Sequence, residues 1–239
     1  MKRPAVFFDR DNTLIVSDGY LGDPERVVLM DGAADAIARA RSLGFATVVV
    51  SNQSGVARGM FDEEAVHAVN ERMDRMLADQ NRHAVIDRHE FCPYHPDATV
   101  ERYRQDSDLR KPRAGMILEA AEKLALDLSR SWLIGDAPRD IEAGRAAGCR
   151  TILFTPSGVA ASPAASASAP ADAQPDHSVT SLIDAIEYIA QHPATGGREG
   201  EEDSVQSSGL SDAEQHRTPL SIPQHPHLPS RVESAARVD

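Results

Sequence analysis

Two aspartates one residue apart, Asp9 and Asp11, follow directly on the apolar run Ala5 to Phe8. Side chains on a strand alternate with period two, so a strand continuing through them sets both carboxylates on one face. Anions that close repel each other, and the pair costs stability unless a cation or a shared proton lies between them. The competing reading is a surface turn after a strand, because Asp and Asn are common turn residues. This stretch alone leaves the two readings balanced. Further along, Ser51 and Asn52 follow a second apolar run, Arg110 and Lys111 precede a proline, and Asp136 follows Gly135 at the end of a third run. Asp9, Asp11 and Asp136 suit a hard cation such as Mg2+, which takes one or two carboxylates plus substrate phosphate and water. Ser51 offers a hydroxyl and backbone N–H groups to phosphate oxygens. Lys111 offers a compact charge, and Arg110 a fork that matches a phosphate bidentately. Metal, lysine and oriented donors describe phosphoryl transfer. In such chemistry an aspartate can act as nucleophile, through an aspartyl phosphate.

Taken singly, Ser51-Asn52 reads equally well as a loop cap, Lys111 as a solvated charge and Asp136 as a helix cap. The elements around them decide between these readings. Residues 14–30 contain Asp18-Gly19-Tyr20 and Gly22-Asp23-Pro24, which is turn chemistry and predicts a loop. Asp31 is the expected cap of a helix carrying Ala34, Ile37, Ala38, Ala40 and Leu43 and stopped by Gly44. Phe45 to Val50 is an apolar, β-branched run, as expected of a strand covered on both faces. Asp62 caps a second helix with Val66, Val69, Met73, Met76 and Leu77 on one side. A mixed strand is expected near Asp87 to Phe91, and a third helix is expected to bury Met116, Leu118, Ala121 and Leu124. Trp132-Leu133-Ile134 is a strand, residues 139–147 a helix closed by Gly148, and Thr151 to Phe154 another strand. Alternating strands and helices require crossovers on a mainly parallel sheet, hence an α/β, Rossmann-like fold with helices on both faces. In such sheets ligands bind beyond the carboxyl ends of the strands, where all the polar candidates fall. The convergence favours a site over a set of unrelated caps.

The chain has 239 residues and a net charge of −12, which argues against a nucleic-acid or anionic-membrane binder. Two cysteines, Cys92 and Cys149, give no disulfide framework and fit a reducing compartment. The N-terminal apolar run meets Asp9 too soon for a signal peptide, and no stretch reaches the ~20 apolar residues of a membrane span. A cytoplasmic monomer is expected. Residues 156–175 are rich in Ala, Ser and Pro and read as a flexible insert between a core at 1–155 and a closing strand and helix at 176–192. In that last piece Leu182, Ile183, Ile186 and Ile189 recur at helical spacing. Residues 193–239 contain no aromatic residue and read as a disordered tail, whose His216, His225 and His227 are taken as solvated rather than metal-binding.

At this point the chain resembles the haloacid dehalogenase (HAD) superfamily of phosphohydrolases. The signature residues occur in order: Asp9-Arg10-Asp11-Asn12-Thr13, Ser51-Asn52, Lys111-Pro112, and Gly135-Asp136 with Asp140. The resemblance implies that Asp9 is the nucleophile and that Asp11 protonates the leaving oxygen and later activates water. It implies Mg2+ held by Asp9, the backbone carbonyl of Asp11, and Asp136, with Ser51 and Lys111 on the phosphoryl oxygens. More narrowly, Asp18-Gly19-Tyr20, the run from Ser51 to Gly59, Cys92-Pro93 and Arg110-Lys111-Pro112 are similar to the heptose bisphosphate phosphatase and histidinol-phosphatase group. That likeness implies substrate contacts from Ser17, Asp18, Gly19, Tyr20, Ser51, Asn52, Gln53, Ser54 and Arg110. It implies removal of the 7-phosphate of D-glycero-D-manno-heptose 1,7-bisphosphate, a small phosphorylated sugar, with no large cap domain. Histidinol phosphate or another small phosphomonoester is the alternative substrate, and a non-catalytic binding protein on the same fold is the alternative of another class.

The chain also departs from that group. The group usually holds zinc before the lysine with Cys-x-His and Cys-x-Cys; here Cys92 is the first cysteine, but Tyr94 stands where the histidine should be, and Ser107 and Leu109 occupy the positions of the later cysteine pair. Cys92 and the neighbouring His95 fall short of the four ligands a structural zinc requires, so no zinc is expected. Asn12 replaces a usual glycine, but asparagine tolerates left-handed backbone better than most residues. Ala137 replaces a basic residue often found after Gly-Asp, and Ser17 stands where the heptose enzymes tend to have an acid.

Overall fold

The computed structural model describes residues 2–156 and 174–193. Most of the Ala/Ser/Pro-rich insert and of the C-terminal tail, with its three histidines, lie outside the described residues. Six strands form one sheet: β1 (Ala5–Phe8), β2 (Ala46–Asn52), β3 (Arg88–Cys92), β4 (Trp132–Gly135), β5 (Arg150–Phe154) and β6 (His177–Val179). Their order is β3-β2-β1-β4-β5-β6, and every pairing is parallel. The order reverses direction between β1 and β4, which opens the crevice where α/β sheets bind ligands.

Among the described residues, α1 (Ala33–Ser42), α2 (Ser54–Ala57), α3 (Glu63–Gln80), α4 (Gly115–Lys123) and α5 (Pro138–Ala146) lie in the connections between strands, and α6 (Leu182–Gln191) follows the last strand. Strand alternation splits the core into two layers. Val6 and Phe8 pack with Ile37, Met73, Leu77 and Ile186 on one side of the sheet. Phe7, Val48 and Val50 pack with Met116, Ile117 and Ala143 on the other. A fully buried side chain of this size contributes ~1.5–3 kcal/mol. β1 is buried on both faces, so the strand that leads into Asp9 is held by packing from both core layers.

Asp62 caps α3 as expected, and Ser181, not singled out in the sequence, caps α6. Asp62 Oδ1 accepts from Ala65 N at 2.9 Å at the start of α3, and Ser181 Oγ accepts from Asp184 N at 3.2 Å at the start of α6. Asp31 does not cap α1. The cap position is Gly32, in left-handed backbone at φ 74° and with no side chain to contribute. The buried face of α4 also differs from the expected one. Met116, Ile117, Ala120 and Ala121 face the sheet, while Leu118 is half exposed and Leu124 lies just beyond the helix. On α6 Ile183 likewise turns outward and Ala185 takes its place in the core. Short helix α2, directly after Asn52 and Gln53, was not marked by any periodic pattern in the sequence.

Candidate active site

Strand β1 ends at Phe8, and Asp9 N still donates to Ile134 O of β4 at 2.9 Å. The chain then turns: Leu14 N and Ile15 N both donate to Arg10 O, and Asn12 sits in left-handed backbone at φ 62°. The two acids are therefore not set side by side by strand alternation. The turn sends them to different partners. Asp9 Oδ1 accepts from Lys111 Nζ at 2.6 Å, and both side chains are sealed from solvent. Lys111 Nζ also lies 2.7 Å from Asp140 Oδ1 and donates to Val50 O at 2.7 Å. Its backbone is pinned by Asn52, whose side chain donates to Lys111 O and accepts from Lys111 N, both at 3.0 Å. Asn52 thus positions the lysine.

Asp136 follows β4 and brings its carboxylate to the same crevice. Oxygens of Asp9, Asp136 and Asp140 all lie within 4.8 Å of one another. Burial pushes Asp9 up to about 7, with Asp140 and Asp136 adding to the rise and Lys111 opposing it. Burial also pushes Asp136 up to about 6, again with help from Asp140. Burial disfavours the Lys111 ammonium, but Asp140 and Asp9 more than offset it and hold its pKa above the ordinary lysine value. Asp9 Oδ2 and Asp136 Oδ1 are buried without a hydrogen-bond donor. Unpaired buried carboxylate oxygens, all hard donors and clustered within reach of one ion, fit a divalent metal.

Asp140 was legible in the sequence only as part of a signature, and its contacts show why it matters. Its Oδ2 accepts from Ala137 N at 3.1 Å at the start of α5, while its other oxygen faces Lys111. A Cβ at position 135 would collide with the Asp140 side chain, so Gly135 is required by this close approach.

Asp11 has separate partners. Arg10 Nη2 donates to its Oδ2 at 3.1 Å, and Gln53 Nε2 donates to the same oxygen at 2.8 Å. Arg10 is 1% exposed and is held in turn by Asn70 Oδ1 at 3.1 Å. Ser51 Oγ lies 3.4 Å from Asp11 Oδ2, at the outer limit of a hydrogen bond. The carboxylate of Asp11 lies outside the Asp9–Asp136–Asp140 cluster.

The remaining expected residues form the rim. Ser17 N donates to Asn12 Oδ1 at 3.0 Å, and Ser17 Oγ donates to Gly19 O at 2.9 Å, which shapes the loop from Ser17 to Tyr20. Asp18 turns outward to Arg26 at 3.1 Å. Tyr20 is half exposed, and the Arg58 guanidinium lies 5.8 Å from its ring centre. Ser54 opens α2. Arg110 has a buried Nη1 with no acceptor. Burial, together with the charges of Arg139 and Arg58, pushes Arg110 below the ordinary arginine range. Burial, Arg110 and Arg58 push His95 down in the same way. Arg58, Arg110 and Arg139 therefore make a positive rim on an acidic protein, and the charges of Arg110 and Arg58 favour the neutral form of His95. Arg58 and Arg139 were not picked out from the sequence, where each reads as an ordinary surface arginine.

In the loop before Lys111, Cys92 is buried and its thiol faces Tyr94 O at 3.8 Å. Tyr94 and Leu109 pack against the core layer that holds Cys92. His95 Nδ1 accepts from Asp97 N at 3.0 Å. Packing and local hydrogen bonds shape this loop.

Comparison with known proteins follows the same lines. A family model described as HAD-hyrolase-like matches residues 108–185. A D-glycero-beta-D-manno-heptose-1,7-bisphosphate 7-phosphatase from Photorhabdus laumondii is 41% identical over 155 residues, covering 65% of this chain and 81% of the relative. The chain belongs to the HAD-like phosphatases. The Escherichia coli protein of the same name is 41% identical over 162 residues, covering 68% of this chain and 84% of the relative. Among solved structures, the D,D-heptose 1,7-bisphosphate phosphatase of B. bronchiseptica, complexed with magnesium and phosphate, aligns with a TM-score of 0.66 at 29% identity. That alignment covers 79% of this chain and 98% of the other. A HAD-like phosphatase from Mesorhizobium loti aligns equally well, at 36% identity over 79% of this chain and 88% of the other. In this HAD-like chain, as in the sheet pattern read from sequence, the crevice lies at the carboxyl ends of β1, β2 and β4. No helix among the described residues is long and apolar enough to cross a membrane.

Proposed function

We propose that this chain is a Mg2+-dependent phosphatase that removes the 7-phosphate of D-glycero-D-manno-heptose 1,7-bisphosphate through a phosphorylated Asp9. The reaction rests on one observation above others: Lys111 bridges Asp9 and Asp140 beside Asp136, leaving Asp9 Oδ2 buried and free of donors. Asp9 attacks phosphorus, and the bond from phosphorus to the sugar oxygen breaks. Asp11 gives its proton to that oxygen. Water then attacks phosphorus, loses its proton to Asp11, and the Asp9–phosphorus bond breaks to release phosphate. Mg2+ held by Asp9, Asp136 and the Asp11 carbonyl would neutralise the phosphoryl oxygens during both transfers. Lys111 and Ser51 bind those oxygens as well, and Asn52 keeps Lys111 in register. Arg10 and Gln53 hold Asp11 toward the leaving oxygen.

The substrate reading is supported by the heptose phosphatases to which the chain is similar and by the rim. A bisphosphate brings a second anion, and Arg110 with its unpaired Nη1 beside Arg58 suits one. Histidinol phosphate carries an ammonium group, which the same arginines would repel. The test is a substrate panel with kcat/KM for the heptose bisphosphate, histidinol phosphate and simple sugar monophosphates. Preference for the heptose bisphosphate with release of its 7-phosphate supports the reading; equal or better turnover of histidinol phosphate refutes it.

A further inference from the structure

The four acids of the crevice are served by cations of two kinds. Lys111 and Arg10 are buried and paired with these acids, Lys111 with Asp9 and Asp140 and Arg10 with Asp11, so they act as fixed counter-ions. Arg139 differs. It is the second residue of α5, its side chain is 41% exposed, and Nη2 lies 3.7 Å from Asp136 Oδ1. That distance is an ion pair without a hydrogen bond. No side-chain hydrogen bond holds Arg139 among the described residues. Its guanidinium feels the charges of Asp140, Asp9, Asp136 and Asp11 and is fastened to none of them. Ala137, also in the turn that opens α5, is buried, has no polar side-chain atom, and gives its backbone N–H to Asp140. Position 139 is therefore where this turn presents a cation to the crevice.

Charge shows what it is available for. Four carboxylates against two buried cations leave room for one divalent ion. A phosphoryl dianion entering that neutral site needs more positive charge, and a planar fork with free donors is the geometry that binds phosphate oxygens. We propose that Arg139 is a substrate-positioning residue that leaves Asp136 to the metal and clamps the phosphoryl oxygens of the bound phosphoester. The proposal rests on the phosphatase reading above and adds a residue to it. The opposing role is a mere counter-ion of Asp136, which would tune metal binding and nothing else.

The full chain, Arg139→Ala and Arg139→Lys separate the two roles, with equal thermal unfolding as the check on folding. Two quantities are read: steady-state kinetics on the heptose bisphosphate, and calorimetric binding of inorganic phosphate at saturating Mg2+. Loss of one charge-assisted hydrogen bond predicts that Arg139→Ala raises KM and weakens phosphate binding by about tenfold each. A smaller change in kcat and partial recovery in Arg139→Lys are expected. Unchanged phosphate affinity, with only the Mg2+ affinity altered, would overturn the proposal. A wild-type protein that binds phosphate with Mg2+ but cleaves no phosphoester would instead sink the phosphatase reading, and the effect of Arg139 on phosphate binding would still be measured.

Discussion

Asp140 Oδ1 and Lys111 Nζ lie 2.7 Å apart where solvent does not reach either side chain. Asp140 therefore stands behind the lysine and fixes its charge toward Asp9. Asp140→Asn keeps an acceptor for Ala137 N but removes the charge opposite Lys111. A loss of kcat of about 10- to 100-fold is expected, since a misplaced phosphate-binding charge weakens transition-state stabilisation. Steady-state kinetics at saturating Mg2+ checks this, and wild-type kcat would show that Asp140 only caps α5.

Lys111→Met removes the cation from a buried set of acids. Breaking one partner of a buried pair costs about 3–5 kcal/mol, because the remaining charges lose their compensation. Denaturant unfolding without metal should show that loss. Because excess Mg2+ supplies compensating charge, it should restore part of the stability without restoring turnover.

Stability without metal should depend on pH with a definite sign. Asp9 is raised to about 7 and Asp136 to about 6 in the folded protein, well above ordinary aspartate. The folded state thus holds protons that the unfolded state has already lost, and folding is favoured at low pH. That contribution is lost as pH rises through about 6 to 7. Thermal unfolding in a chelator should therefore fall between pH 5.5 and 8, by on the order of 1 kcal/mol or more. Added Mg2+ should flatten the slope by stabilising the carboxylates. A chelated protein equally stable at both ends would count against the clustered acids.

Gln53→Ala removes the 2.8 Å donor on Asp11 Oδ2 while Arg10 remains. One hydrogen bond to a charged group is worth about 1.5–3 kcal/mol, so kcat should fall by roughly 10- to 100-fold if that bond aims the proton donor. KM should move less than kcat. A change in KM alone would place Gln53 on the substrate rather than on Asp11.

Much of this site was legible because a parallel sheet leaves few places for polar residues to go. Asp9, Asn52 and Asp136 each follow an apolar run, and such a sheet gathers strand ends into one crevice whatever their separation in sequence. What sequence could not show was which partner each acid takes. Asp9 and Asp11 look like a repelling pair on paper, yet the turn at Asn12 gives one to Lys111 and the other to Arg10 and Gln53. Arg139 looks like any solvated arginine near a helix start, and only its distance to Asp136 distinguishes it. Asp31 misled because asparatate-type capping chemistry is local, whereas the helix start was set by the left-handed backbone of Gly32. Leu118 misled because a short helix tolerates more than one phase for its apolar face, and packing against β2 and β3 chose Met116 and Ile117.

The most direct measurement of the central claim is acid-quenched, single-turnover reaction of the heptose bisphosphate with wild type and Asp9→Asn, followed by mass spectrometry of the Asp9 peptide. Wild type with Mg2+ should carry a transient phosphoryl group on Asp9 and release one phosphate, while Asp9→Asn should do neither. Phosphate release by Asp9→Asn at a rate near that of wild type would contradict the assignment of Asp9 as the attacking group.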